Sequence, residues 1–242
     1  MFLPESIPED PPRSLSEAFQ RFPVLQTLTD NPRAVELAVE EVVKDFAADG
    51  VIYAELRSTP RAVEGRMTKR QYVQALAEAA QRCNEGRVRA EEEEDNCDGA
   101  SARQAAFGPM GIQTRILVSI DRGQSMEAAE EAVDLAVEFR QLYPGVIVGV
   151  DVSGNPTKND IAALVPLLKR AVQHGGLKTA VHLAEVPNAV EVSKFLDAEF
   201  FVPDRIGHGV EIHPSTPGGS ELLWEKLLGR YRDMGISSRT GS

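Results

Sequence analysis

The chain has 242 residues, 42% of them hydrophobic and 26% charged, a size and balance that fit one large soluble domain or two small ones. A formal net charge of -11 argues against a nucleic-acid polymer or an anionic membrane as partner, because both need a basic face. Cys83 and Cys97 lack metal or redox spacing, the opening MFLPESIPEDPP lacks the regions of a signal peptide, and no window approaches a membrane span, so a soluble cytoplasmic protein is expected.

In chain order, residues 1–13 are proline-rich and polar, and read as a disordered tail. Ser14 and Glu17 form a capping-box pattern that opens a short helix to about Leu28. Asn31 and Pro32 suit the N-cap and first position of the next helix, with an apolar stripe of Val35, Val39, Val42, Val43 and Phe46 and an end at Gly50. Val51–Leu56 reads as a strand running into Arg57-Ser58-Thr59-Pro60-Arg61, and Thr68 with Gln71 opens a helix to about Asn84. From residue 85 to 111 the pattern collapses around five consecutive acids, Glu91 to Asp95, which reads as a disordered acidic insertion.

Strand character returns at Thr114–Ile120, ending in Asp121, and Ser125 caps the helix that follows. Val146–Val152 is a further strand ending in Ser153-Gly154, and Thr157 with Asp160 is expected to cap a helix whose stripe is Ile161, Leu164, Val165, Leu168 and Val172. After Gly175-Gly176 comes the apolar run Leu177–Leu183 with His182 inside it, then a short helix near Ala189–Asp197. The segment Asp204–Gly209 and a helix from about Ser220 to Asp233 follow, and residues 234–242 read as an unstructured tail. Strand centres at Ser119, Val150 and Val181 are 31 residues apart, with one amphipathic helix in each interval. That repetition predicts an α/β fold with a parallel sheet and right-handed crossovers, either a (β/α) barrel or a doubly wound open sheet. No glycine-rich phosphate fingerprint follows any strand, which weighs against a nucleotide-binding open sheet.

A lone histidine in an apolar strand is more commonly a packed core residue than a ligand. Here, though, polar groups stand at the C-terminal end of strand after strand: Ser58 to Arg61, Asp121, Ser153-Gly154, His182 with Glu185, and His208. In an α/β barrel this edge builds the active site. Imidazole with carboxylate suits metal-assisted hydrolysis, the carboxylate carrying a proton to a ring or leaving nitrogen. His174 sits at a helix end, where the dipole explains it, and His213 before Pro214 reads as a loop residue.

ELRSTPR (55–61), DVSGNP (151–156), VHLAE (181–185) and DRIGHG (204–209), in this order and spacing, resemble the metal-dependent adenosine/AMP deaminase family, in particular its N6-methyl-AMP branch. The resemblance runs from about Ser14 to Asp233. It implies a (β/α)8 TIM barrel, here partial and lacking the first and last strands, with residues 14–233 as the deaminase domain. It also implies one zinc ion per active site, a purine nucleotide or nucleoside as substrate, and a monomer for full-length members. His182 is then the zinc ligand, Glu185 the proton donor to purine N1, and His208 the residue orienting the hydroxide that attacks C6. Ser58, Thr59, Pro60, Arg61, Asp121 and Gly154 fall at nucleotide contacts, with Arg61 a natural phosphate partner.

The family's His-x-His strand and its Asp-Asp strand have no counterpart in these residues, and an early substrate-contacting histidine is replaced near Gln26. The expectation is a chain truncated at both ends and inactive alone. A non-catalytic isoform that binds nucleotide or a partner, and another TIM-barrel hydrolase, are the alternatives.

Overall fold

The computed structural model of the chain describes residues 15–87, 109–197, 201–216 and 219–233. The two tails and the body of the acidic insertion, with Ser14 and Cys97, lie outside the described residues. The chain divides into two compact units, Met1–Leu56 with Pro60–Ile116, and Arg57–Thr59 with Leu117–Ser242.

In chain order the elements are α1 (Leu15–Gln26), α2 (Pro32–Ala48), β1 (Tyr53–Ser58), α3 (Lys69–Asn84), β2 (Gln113–Asp121), α4 (Met126–Leu142) and β3 (Ile147–Ser153). Then come α5 (Val165–Gly175), β4 (Lys178–Leu183), α6 (Ala189–Asp197), β5 (Arg205–His208) and α7 (Glu221–Asp233). The five parallel strands follow one another in the sheet in chain order. A doubly wound sheet would reverse its strand order at a switch point, so the sequential order gives the partial (β/α)8 barrel. Val118, Val150, Val152 and Val181 are fully buried, as expected of strands covered on both faces. No helix among the described residues is long and apolar enough to cross a membrane.

In the first unit, the Asn31 carboxamide accepts from Ala34 N at 3.0 Å and opens α2, and Thr68 with Gln71 makes the complete capping box of α3. The buried face of α2 departs from the predicted stripe. Val35, Val39 and Val43 are buried, but Val42 and Phe46 are each 38% exposed. The face is rotated toward Glu36 and Glu40 because Arg82 of α3 reaches across it, bonding Glu36 at 3.0 Å and Glu40 at 2.9 Å. β1 also begins two residues later than the apolar run suggests. Burial first, and Glu40 second, push the Cys83 thiol up to about 11, so it stays protonated at neutral pH.

In the second unit, Ser125 caps α4 as expected. Thr157 and Asp160 do not cap α5. Thr157 turns back onto Asn155, while Asp160 accepts from Ala162 N at 3.0 Å to start a 3-10 turn, Ile161–Leu164. The α-helix begins only at Val165, with Pro166 in its first turn, where a missing N–H costs nothing. Gly176, at φ 58, ends it in the left-handed conformation. Asp204 then joins β5 to β4, accepting from Thr179 N at 2.9 Å and from Lys178 Nζ at 2.7 Å. That clasp fixes the register in which His182 lies opposite Gly207 and Leu183 opposite His208.

Candidate active site

β4 ends at Leu183, and the next residue, Ala184, takes φ 55; at the end of β5, His208 takes φ 65. Left-handed backbone at non-glycine residues costs about 1–3 kcal/mol and persists only where surroundings enforce it. Two backbone bonds do so here: Gly209 N donates to Leu183 O at 2.9 Å and Glu211 N to Ala184 O at 3.0 Å. Ala184 therefore lies just past the end of the strand.

The turn after β4 brings Glu185 back to the two histidines. One ligand atom each from His182, Glu185 and His208 can be chosen so that all three lie within 4.8 Å of one another. His182 Nδ1 is 3.2 Å from His208 Nε2, the rings meeting edge to face at 4.8 Å, and Glu185 Oε2 is 3.5 Å from the same His208 nitrogen. Two imidazoles and a carboxylate are zinc-type donors, so these residues fit a metal. Burial, followed by the positive Arg57 beside it, pushes the His182 imidazole down to about 4, against the opposing pull of Asp151. His182 is thus neutral at pH 7, the form with a lone pair to offer.

Gly207 makes room for that ring. A Cβ there would lie 2.8 Å from His182 Cδ2 and 3.2 Å from Nε2. Gly207→Ala is expected to cost about 1–3 kcal/mol in urea unfolding and to move the His182 imidazole NMR signals while leaving those of His174 in place.

Three polar residues not singled out by sequence reasoning complete the neighbourhood. Asp151 is buried on β3; its carboxylate accepts from Ser119 Oγ at 2.9 Å, and Ser119 also bonds Ser153 Oγ at 2.7 Å. Arg57 at the end of β1 lies 3.5 Å from Asp151 Oδ1 and touches His182 Nε2. Asp151 has the same signature as His182, a lone titratable group inside the apolar run VIVGVDVS.

Asp121 and Gly154 come together. The Asp121 carboxylate accepts from Gly123 N at 2.8 Å and occupies the space a Gly154 side chain would need. Asp121 borders an open cavity of about 390 Å³ between the ends of β2 and the turn before α5, whose walls do not include His182, Glu185 or His208. Ser58 and Thr59 are half-buried at the end of β1. Pro60 and Arg61 belong to the first unit, where Arg61 Nη2 bonds Gln26 O at 2.8 Å, contacts Thr29 and lies over the Tyr72 ring. His174 is in the last turn of α5, and His213 bonds Ser215 Oγ at 2.6 Å and packs on Trp224, as expected of a helix-end and a loop residue.

The adenosine deaminase family profile matches residues 3–237. N6-methyl-AMP deaminase of Danio rerio is 37% identical over 216 residues, 89% of this chain and 55% of that protein, and the Homo sapiens N6-methyl-AMP deaminase is 35% identical over 213 residues, 87% and 53%. The crystal structure of Arabidopsis ADAL complexed with IMP superposes with a TM-score of 0.67 at 34% identity, covering 89% of this chain and 55% of that one. The chain thus spans about half the length of the relatives it matches. On the match across nearly its whole length, the chain belongs to the adenosine deaminase family.

Proposed function

We propose that this chain carries part of the site of a zinc-dependent aminohydrolase that removes the 6-amino or 6-alkylamino group from an AMP-type nucleotide, with N6-methyl-AMP and water giving IMP and methylamine. The observation that supports this reading best is the gathering of His182, Glu185 and His208 within 4.8 Å at one strand edge. Zinc supplies the acidification of water that makes a nucleophile at neutral pH. His182 holds it through a neutral ring nitrogen. Glu185, half-buried beyond the end of β4, gives its proton to purine N1, and His208 takes the proton of the attacking water and orients it toward C6. Ser58, Thr59, Pro60, Arg61, Asp121 and Gly154 contact the nucleotide, with Arg61 on the phosphate.

With Glu185 and His208 engaged in proton transfer, His182 is the ligand left to zinc, whereas a catalytic zinc takes three protein ligands. The purified chain is therefore expected to hold zinc below stoichiometry and to turn over no N6-methyl-AMP. Zinc content by mass spectrometry, product formation and IMP binding check this together. Near-stoichiometric zinc with turnover would sink the inactivity. IMP binding without turnover fits a second reading, a nucleotide-binding chain without catalysis, which the ligand count favours. Failure to bind zinc, IMP or N6-methyl-AMP at all would remove the deaminase reading.

A further inference from the structure

The cavity beside Asp121 has walls whose chemistry can be read group by group. Its apolar side is made by Met126 and Ala129 of α4 and by Ala163 and Leu164 of the turn before α5. The loop at its rim is fixed. Asn159 takes φ 42, and its carboxamide donates to Arg122 O at 2.5 Å and to Gln124 O at 3.3 Å. A left-handed asparagine persists where its surroundings enforce it, so the space is built in advance of an occupant. Its 390 Å³ falls within the range of small-molecule sites, roughly 300–1,000 Å³.

The groups that could hold an anion there are engaged elsewhere. Arg122 gives Nε to Lys158 O at 2.7 Å, Nη1 to Glu191 at 3.3 Å, and Nη2 to Asn159 O and Glu191. At the start of α4, Ser125 Oγ accepts from Ala128 N at 3.3 Å. The Glu127 carboxylate is held below its usual range by its own backbone N–H and by the Ser125 hydroxyl. Asp160 accepts from Ala162 N at 3.0 Å and from Lys194 Nζ at 3.1 Å, so its charge is matched. Asp121 differs. Its Oδ1 accepts from Gly123 N at 2.8 Å, and Oδ2 has no partner among the described residues.

We propose that this cavity is a binding site for a small organic ammonium with an aromatic body, the ammonium on the Asp121 carboxylate and the ring against Met126, Ala129 and Leu164. An ammonium gives the carboxylate a charge partner and a hydrogen bond at once. The thioether of Met126 suits a ring edge. The site is separate from the group formed by His182, Glu185 and His208, and it does not rest on the deaminase reading, although Asp121 figures in both.

The test titrates the whole 15N-labelled chain with phenethylammonium, 2-phenylethanol and 3-phenylpropanoate. Saturable shifts are expected for the ammonium in the amides of residues 124–129 and 159–164, with the alcohol weaker and the carboxylate weakest. Asp121→Asn keeps an acceptor for Gly123 N and is expected to bind the ammonium about tenfold more weakly. Ala163 is exposed, so Ala163→Phe fills the cavity without disturbing the core and abolishes binding, the backbone spectrum reporting that both variants are folded. His182→Ala is expected to leave the affinity unchanged; a loss there would assign the amine to the strand-edge site and overturn the proposal. Equal binding of the carboxylate, or undiminished binding in Ala163→Phe, overturns it as well. None of these outcomes depends on zinc or on turnover, so the deaminase reading stands or falls separately.

Discussion

Arg122→Met is expected to lower the stability of the chain by about 3–5 kcal/mol, the usual cost of removing one partner of a buried ion pair. The Arg122 side chain is 3% exposed and pairs with Glu191, 9% exposed, across the turn between β3 and α5. Its Nε also donates to Lys158 O at 2.7 Å, and Glu191 accepts from Ile161 N at 3.1 Å. Without the guanidinium, Glu191 loses its counter-charge in a place with little water, and the backbone carbonyls of Lys158 and Asn159 lose their donor. Urea unfolding followed by circular dichroism measures the effect. The Arg122→Met, Glu191→Gln double variant should recover part of the loss, because the neutral amide still offers Ile161 an acceptor and leaves no buried charge. A loss below about 1 kcal/mol in the single variant would place the pair among exposed bridges, contrary to its burial.

Gly154→Ala is the second large effect, with two separable causes. Gly154 sits at φ 98, and a Cβ there would be 2.1 Å from Asp121 Oδ1 and 3.0 Å from its Cγ. The backbone conformation costs about 1–3 kcal/mol for a residue with a side chain. Displacing the carboxylate from Gly123 N removes a hydrogen bond worth about 1 kcal/mol. Together they predict a loss of about 2–4 kcal/mol in the same unfolding assay. Adding Asp121→Ala should relieve the collision but not the backbone cost. No recovery in the double variant would mean that the carboxylate lies elsewhere in solution.

The fold was legible in the sequence because parallel strands and their helices leave periodic signals. The spacing of Ser119, Val150 and Val181, the caps at Asn31, Thr68 and Ser125, and the stop at Gly176 all correspond to observed elements. Where the reading went astray, a polar tertiary contact or a proline decided the outcome. Arg82 turned the face of α2 toward two glutamates, and Pro166 delayed α5 beyond Asp160. Within the site, the grouping of His182, Glu185 and His208 could be anticipated from three strand-end positions. Arg57, Asp151 and Ser119 could not be assigned in the same way, because their significance lies in cross-strand distances that no single stretch of sequence contains. The turn at Ala184 that returns Glu185 to the histidines leaves no sequence signal either, since alanine is an unusual residue at φ 55.

The short chain of hydroxyls beside Asp151 has a direction. Ser119 has one hydroxyl proton, and the Asp151 carboxylate takes it at 2.9 Å. The 2.7 Å bond between Ser119 and Ser153 must then be made with the proton of Ser153. Ser153 is left with lone pairs only. A molecule meeting this half-buried hydroxyl must come with an N–H or O–H of its own, and a phosphate oxygen or a bare carbonyl would find no proton there. Two serines, neither of them charged, thus hand the preference of one buried aspartate outward to the surface as a rule about the polarity of whatever touches it.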